Sequence, residues 1–403
     1  MEKTEVIVIG GGISGIAFAW KAARAGRAVL LLESGDRFGG CLHTHRSADG
    51  YWRELGAHTT YNSYGGFLDI AAGSGATAKI LQRGPARARF GYLRDNRYEW
   101  LSPPALLGRF NWLEIALHGP LGLLRGKSGR TMAQYYGGLL GPGNYARWLK
   151  PFLAAVPSQD ADGFPADGAG SLFKKRARRK EFPRSFGFDG GLQTVCDAAL
   201  RTPGLRVQTG AAVTRIAPSA AGFVVTTADG RSFEAPLAAV ATPIDGAAAL
   251  FQRDFPELAR ALAPVKTVAI DSLGVALPRA RCWMPECAFV IPADDLFFSA
   301  VTRDPFPDPE RRAFTFHFKS GHSREEQLRR MSDVLRFPVP ELGQPEARRT
   351  LLPAPALGHD RIVANLDALL AGRRLALTGN YFQGLAIEDC IQRSFEEFDR
   401  IAT

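Results

Sequence analysis

Val6-Ile7-Val8-Ile9-Gly10-Gly11-Gly12-Ile13-Ser14-Gly15 opens the chain and decides how the rest is read. Four consecutive β-branched residues describe a strand buried on both faces. They run directly into G-x-G-x-x-G at Gly10, Gly12 and Gly15. Behind it, Ile16 to Ala25 predicts a small-residue helix ending at Gly26, and Ala28 to Leu32 a second apolar run ending at Glu33. Each part has a task in holding a dinucleotide. Gly10 permits the tight turn, Gly12 lets backbone approach a pyrophosphate, and Gly15 lets helix and strand pack closely. The helix start at Ile13 and Ser14 offers unpaired N–H groups and a positive dipole to phosphate. Glu33 and Ser34 follow, with Glu33 placed to accept from a ribose hydroxyl. Among 43 glycines a lone glycine pattern is weak. Strand, glycines, helix, strand and acid in register are much stronger.

The 403 residues, 46% hydrophobic and 22% charged, suit a globular enzyme of two or three domains and exclude a disulfide mini-protein, a collagen or a long disordered tail. Fifty Lys+Arg against 40 Asp+Glu leave a net charge of +10, and only ten of those cations are lysine. Two causes stand: the bias of an Ala/Gly/Arg-rich genome, or attraction to an acidic substrate or membrane surface. No recognition motif accompanies the charge, so nucleic acid is not expected as a partner. Five cysteines without a recognisable spacing, and a start lacking a signal peptide's cationic region, point to a reducing cytoplasmic setting. No apolar run of about 18 residues predicts a spanning helix.

After Glu33 the string is E-x-x-x-R-x-G-G, with Arg37, Gly39 and Gly40, then Cys41; shortly afterwards comes Asp49-Gly50-Tyr51-Trp52-Arg53-Glu54-Leu55-Gly56-Ala57-His58. The pair resembles the FAD-binding start of the flavin amine oxidase superfamily, which includes amine oxidases, carotenoid desaturases and protoporphyrinogen oxidases. The resemblance implies non-covalent FAD. Gly39 and Gly40 give a side-chain-free loop against which a flavin can lie, and Arg37 is a partner for ribityl or phosphate oxygens. It further implies that Cys41, Gly56, Ala57 and His58 adjoin the cofactor, and that backbone near Val213 meets the adenine; Val213 reads equally well as a core strand valine.

Regular rhythm lapses over 61–185 and returns from Gly187, with a helix to Leu200, strands at Leu205 to Gln208, Ala211 to Ile216, Phe223 to Thr227 and Ser232 to Ala235, and the run Leu237 to Ala241. Residues 266–350 mix strands with a charged helix from Ser323 to Leu335. Leu375 to Asn380 reads as a strand and Ile387 onward as an amphipathic helix. The expected fold class is α/β: a Rossmann-type FAD domain from residues 1–60, 186–265 and 351–403, interrupted by a mixed α+β substrate domain from 61–185 and 266–350.

Gly379-Asn380-Tyr381-Phe382-Gln383-Gly384-Leu385-Ala386-Ile387-Glu388-Asp389, the Pro-then-Gly-His stretch ending at Gly358-His359, and Gly190-Gly191-Leu192-Gln193-Thr194 look most like protoporphyrinogen oxidase. That likeness adds Gly379, Asn380, Gly384, Ala386 and Ile387 to the cofactor contacts. It implies hydride removal from a reduced tetrapyrrole-like or other N-heterocyclic small molecule, anionic or apolar, with oxygen or quinone as electron acceptor. Amine oxidase or carotenoid-type desaturase is the alternative, and a flavin-binding scaffold without turnover a third. Glu388 and Asp389 read either as ordinary first-turn acids or as part of a helix start aimed at the flavin. Candidate catalytic residues are Lys266, Tyr381 and His58. Lys266 also reads as an exposed strand-end lysine, and Tyr381 and His58 as core filling. Cys41, His43 and His45 alternate on one strand face, which a strand beside the flavin explains better than a metal. Two further stretches bear on partners. Pro104 to Leu124 is apolar and followed by Arg125, Lys127 and Arg130; a helix packed inside is preferred slightly over a peripheral membrane contact. Lys174 to Lys180 is a basic loop, read as a solvated charge run or as a site of attraction for anions.

Overall fold

The computed structural model describes residues 1–402. Val6–Ile9 lies in the middle of a five-stranded parallel sheet, in the order Leu205–Gln208, Val29–Leu32, Val6–Ile9, Leu237–Val240, Leu375–Leu377. Alternate residues of these strands enter two different cores. Val6 and Val8 pack beneath the Ile13–Arg24 and Ile387–Ala402 helices. Ile7 and Ile9 pack against a small antiparallel sheet (Val213–Ser219, Gly222–Thr227, Ser232–Ala235) and the helices Ile244–Phe251, Pro256–Leu262 and His359–Leu370. Burial on both faces is why Val6–Ile9, Val29–Leu32, Leu237–Val240 and Leu375–Leu377 read as unbroken apolar runs, whereas the edge strand Leu205–Gln208 is partly exposed and carries Arg206 and Gln208. This is the Rossmann-type α/β arrangement, assembled from three separated stretches of chain.

The second large element is a seven-stranded mixed sheet, in the order Glu346–Pro353, Thr267–Pro278, Arg311–Lys319, Phe297–Thr302, Phe289–Pro292, Phe90–Arg94, Arg97–Leu101. Only the Phe289–Pro292 and Phe90–Arg94 pairing is parallel. Met331, Val334 and Leu335 of the Arg324–Leu335 helix cover one face of it. That helix starts on a capping box, Ser323 and Glu326 each satisfying the other's backbone amide. Between the two sheets lies the hairpin Thr44–Arg46 and Trp52–Glu54. It is tied to the large sheet by the Arg53–Glu346 ion pair and by the Thr315 hydroxyl, which donates to the Glu54 carbonyl at 2.7 Å.

Two stretches differ from expectation. Residues 61–185 do not all leave the parallel sheet: Phe67, Leu68, Ile70 and Ala71 of the Gly65–Gly73 helix are buried in its first core, against the C-terminal helix. Pro104 to Leu124 is not packed inside. It forms helices Pro103–Leu107 and Trp112–Arg125, and the longer one buries only Gly119 and Gly122.

Candidate functional site

The glycine loop between Val6–Ile9 and the Ile13–Arg24 helix is built by three different constraints. Gly10 has φ +105° and a Cβ there would lie 2.6 Å from the Ala241 carbonyl oxygen. At Gly15 a Cβ would fall 1.9 Å from the Gly10 carbonyl oxygen. Both positions exclude a side chain because protein backbone already occupies the space. Gly12 is different: its nearest neighbour would be the Gly40 Cα at 3.7 Å, an ordinary contact. The fold therefore tolerates a methyl at Gly12, and the need for glycine there comes from whatever approaches the loop. No side chain caps the helix that follows, and its first turn holds no acid. Amides at Ile13 and Ser14 thus begin a helix with no side-chain acceptor.

Glu33 stands beside this loop. Its carboxylate accepts the Gly11 and Gly35 amides, each at 2.7 Å, and the Ser34 hydroxyl at 3.2 Å. The carboxylate is thereby oriented, and it keeps lone-pair capacity for further donors. The Ala211 amide donates to the Glu33 carbonyl, which brings the start of the Val213–Ser219 strand alongside. Thr242, next to the Gly10 contact, carries a buried hydroxyl with no hydrogen-bond partner.

Gly39 and Gly40 fold back onto the loop, with φ of +108° and +54° and the Gly39 amide donating to the Gly11 carbonyl at 2.8 Å. Arg37 holds this turn closed by donating to the Gly40 carbonyl at 2.6 Å and the Phe38 carbonyl at 2.9 Å. It also reaches Gln193 at 3.4 Å. That Gln193 contact, and the Leu192 amide bound to Glu54 at 2.7 Å, give the Gly190–Thr194 stretch its task of clamping the hairpin. Glu54 is half-buried among these groups, and desolvation pushes its carboxyl up to about 7. Arg37 thus supports the turn through both Nη1 and Nη2.

The opposite side is made of side chains. Burial, with Arg37 and Arg348 nearby, pushes the His43 imidazole down to about 3, and its Nδ1 is buried without a partner. Desolvation also lowers the Arg348 guanidinium; Arg348 donates to Thr350 at 3.1 Å, while its Nη1 has no acceptor. Cys41 lies between these groups and the Gly56–His58 segment. The Ala57 amide donates to the Cys41 carbonyl at 3.0 Å, and a Cβ on Gly56 would collide with that oxygen. His58 stacks on His317 with ring centroids 6.3 Å apart, and His317 Nδ1 is 2.8 Å from the Ser272 hydroxyl. Desolvation holds both imidazoles neutral, His58 near about 4 with Arg83 adding repulsion, and His317 near about 3. His58 nevertheless retains accessible surface.

At the C-terminal end the first-turn acids find protein partners. Glu388 accepts the Gly66 and Phe67 amides at 2.8 and 3.1 Å, capping the Gly65–Gly73 helix, and Asp389 pairs with Arg176 at 2.6 Å and Lys174 at 3.2 Å. Gly384 is needed there, because a Cβ would lie 2.5 Å from the Asp389 carboxylate. The basic loop is thus partly neutralised within the protein, with Arg179 also paired to Asp69. Ile387 and Cys390 join the first core with Ala386 packed against it, Gly379 is buried beside the Tyr381 ring, and Asn380 is half-buried. Cys390 is pushed up to about 12 by burial, with Asp389 beside it acting in the same direction.

Of the candidate catalytic residues, His58 alone is brought into this assembly. Tyr381 is packed in the second core with its hydroxyl donating to Thr378 at 3.2 Å, which is the core-filling alternative. Lys266 is exposed just before the Thr267–Pro278 strand, the strand-end alternative. Cys41, His43 and His45 do not converge: among the described residues no three such side chains form a metal-binding group, and His45 turns toward Glu346. Sequence reading missed Ser272, His317 and Arg348. None lies in a motif; the Thr267–Pro278, Arg311–Lys319 and Glu346–Pro353 strands carry them in from far along the chain.

Residues 8–70 match the family of NAD(P)-binding Rossmann-like domains, and residues 158–287 match flavin containing amine oxidoreductases. The all-trans-retinol 13,14-reductase of Danio rerio is 42% identical over 57 residues, 14% of this chain and 9% of that protein. The chain spans less than a fifth of the length of the curated relatives it matches. Among solved structures, a candidate protoporphyrinogen oxidase from Exiguobacterium sp. 255-15 superposes with a TM-score of 0.79 at 17% identity, covering 99% of this chain and 98% of the other. Cyclohexylamine oxidase from Brevibacterium oxydans IH-35A gives 0.73 at 16% identity, over 99% and 98%.

Proposed function

We propose, from a fold and family matches that are those of the flavin amine oxidase superfamily, that this chain is an FAD-dependent oxidoreductase removing hydride from a reduced tetrapyrrole-like or other N-heterocyclic substrate. The observation that carries the cofactor reading is Gly12, a glycine that the protein's own packing does not require, at the uncapped start of a helix. The buried, unpartnered Thr242 hydroxyl beside Gly10 fits the same occupant. FAD, when bound, supplies the hydride acceptor.

The protein's part is positioning. Amides at Gly12 to Gly15 receive pyrophosphate, Glu33 receives ribose hydroxyls, and the Arg37-held turn at Gly39 and Gly40 offers backbone to the ring system, with Cys41, Gly56 and Ala57 beside it. The C-terminal segment Gly379 to Ile387 closes the cofactor side, and Val213 borders the adenine end. On the substrate side, His58 has Nδ1 3.4 Å from the Gly56 carbonyl, which favours the proton on Nδ1 and leaves the Nε2 lone pair free to accept from a substrate N–H. Residues 1–60, 186–265 and 351–403 form the cofactor domain in this reading, with the Gly65–Gly73 helix packed on its first core, and the rest of 61–185 together with 266–350 binds substrate. Oxygen or a quinone takes the electrons, and the protein works on the cytoplasmic side in peripheral contact with membrane. No helix among the described residues is long and apolar enough to cross one.

The test is spectroscopic. The purified chain should be yellow or gain a flavin spectrum with added FAD, and a colourless protein after FAD addition refutes the cofactor reading. Mixed anaerobically with a porphyrinogen, a primary amine and phytoene in turn, the flavin should bleach with the porphyrinogen. Bleaching with the amine or phytoene instead selects an amine oxidase or a desaturase, and bleaching with none selects a binding scaffold.

A further inference from the structure

The Trp112–Arg125 helix is inside out for a protein in water. Its buried positions are Gly119 and Gly122, and its outward ones are large and apolar: Trp112 is 60% exposed, Leu113 70%, Leu117 72% and Leu124 85%. Leu113, Leu117, Pro120 and Leu124 recur at three- and four-residue spacing, so they form one continuous ridge, and Leu121 and Leu123 widen it. Backbone contact, not side-chain choice, sets this rotation. A Cβ on Gly122 would lie 2.5 Å from the Gly138 carbonyl oxygen of the Met132–Leu140 helix, so the glycine side is pressed against that neighbour and the leucines must face away. Isolated exposed leucines are ordinary, but a contiguous ridge of this kind marks a contact surface.

We propose that this ridge docks on an anionic lipid surface, with the helix lying in the plane of the headgroups; this specifies the membrane contact included in the reading above. Charge decides the occupant. Between Pro103 and Arg130 there are four cations and one carboxylate. That carboxylate, Glu114, is turned inward to accept the Gly143 and Asn144 amides at 2.6 and 3.0 Å. Arg109 is paired with Glu99, whereas Arg125, Lys127 and Arg130, at the end of the ridge, have no carboxylate partner among the described residues. Lys127 lies over the Tyr135 and Tyr136 rings, 5.3 and 5.8 Å from their centroids, so its charge is not neutralised; an apolar ridge ending in cations without a carboxylate partner complements acyl chains beneath phosphate headgroups. Trp112 at the other end suits the same boundary. At 14 residues the helix is about 21 Å long, too short to span a hydrocarbon core of about 30 Å, so it lies along the surface.

Co-sedimentation of the full chain with vesicles of phosphatidylcholine plus phosphatidylglycerol, against phosphatidylcholine alone, tests this. The chain should pellet with the anionic vesicles and release as salt rises. Leu117→Glu with Leu124→Glu should cut the bound fraction about tenfold, and Arg125→Gln with Lys127→Gln and Arg130→Gln should remove the preference for anionic lipid. Leu117, Leu124 and Arg125 are exposed, and Lys127 and Arg130 are half-buried without a carboxylate partner, so far-UV circular dichroism should match the parent. No pelleting with anionic vesicles, or pelleting that the leucine variant leaves intact, overturns the proposal. Light scattering showing a dimer that the same leucine variant dissociates, without vesicle binding, overturns it in favour of a second copy on the ridge. These readouts need no flavin turnover, so a failed docking and a failed redox reading are told apart.

Discussion

The two sides of the candidate site are made of different material. One is backbone: Gly10, Gly12, Gly15, Gly39 and Gly40, brought together by close approach and held by Glu33 and Arg37. The other is side chains, His43, His58, His317, Ser272 and Arg348: the imidazoles and the guanidinium are desolvated, and His43 Nδ1 and Arg348 Nη1 lack a hydrogen-bond partner. The backbone side is rigid because a wrong atom collides. The side-chain side is poised because buried polar groups lack partners that a ligand can supply. Substitutions should therefore break folding on the first side and alter binding or pH response on the second, with Gly12 the exception that separates the two.

The largest effect is expected at Gly15→Val, whose Cβ would sit 1.9 Å from the Gly10 carbonyl oxygen. It should cost about 3 kcal/mol or more, read as lost soluble yield or a lowered urea midpoint. An unchanged midpoint would show that helix and strand can separate without cost. Gly12→Ala, three residues earlier, should leave that midpoint within about 1 kcal/mol yet reduce FAD retained through gel filtration about tenfold. Equal damage at both positions would erase the distinction between packing and ligand approach. Glu33→Ala should also weaken FAD retention, and unchanged occupancy would remove the ribose role.

On the side-chain wall, pH is the probe. His58 and His317 are held near about 4 and 3 in the folded chain, against about 6.5 when unfolded. Their contribution to stability is fully present above pH 6.5 and is lost as pH falls from there toward the folded values, because only the unfolded chain takes up protons in that window. Thermal melting between pH 8 and pH 5 should show this decline, and His317→Gln should flatten it; a variant with the same slope would mean other groups set the dependence. The smallest effect belongs to Arg348→Gln. Removing a desolvated cation that lacks a carboxylate partner should change apo stability by less than about 1 kcal/mol, in either direction, and a larger loss would show that Arg348 is a structural tie.

The first side was legible because its constraints are local. A double-buried strand, a tight turn and a helix start each leave a mark within ten residues, from Val6 to Gly15. The turn at Gly39 and Gly40 was legible too, although Arg37 proves to hold it rather than stand free. Lys266 and Tyr381 show the limit. Residue type suggested chemistry, but exposure at a strand end and burial in the second core are set by neighbours distant in sequence. The same holds for Trp112 to Arg125, where the side facing out depends on the approach of the Met132–Leu140 helix to Gly122.

By itself, the sequence determined that a parallel strand–glycine–helix unit opens the chain and that an acid and a glycine turn attend it, since steric and hydrogen-bond requirements of that unit are met within one short stretch. Tertiary structure alone decided that Ser272 and His317 meet His58 and that Arg348 lies near Arg37 and His43, because strands some three hundred residues downstream carry them there through sheet register, and register is a property of paired strands rather than of either strand's own residues.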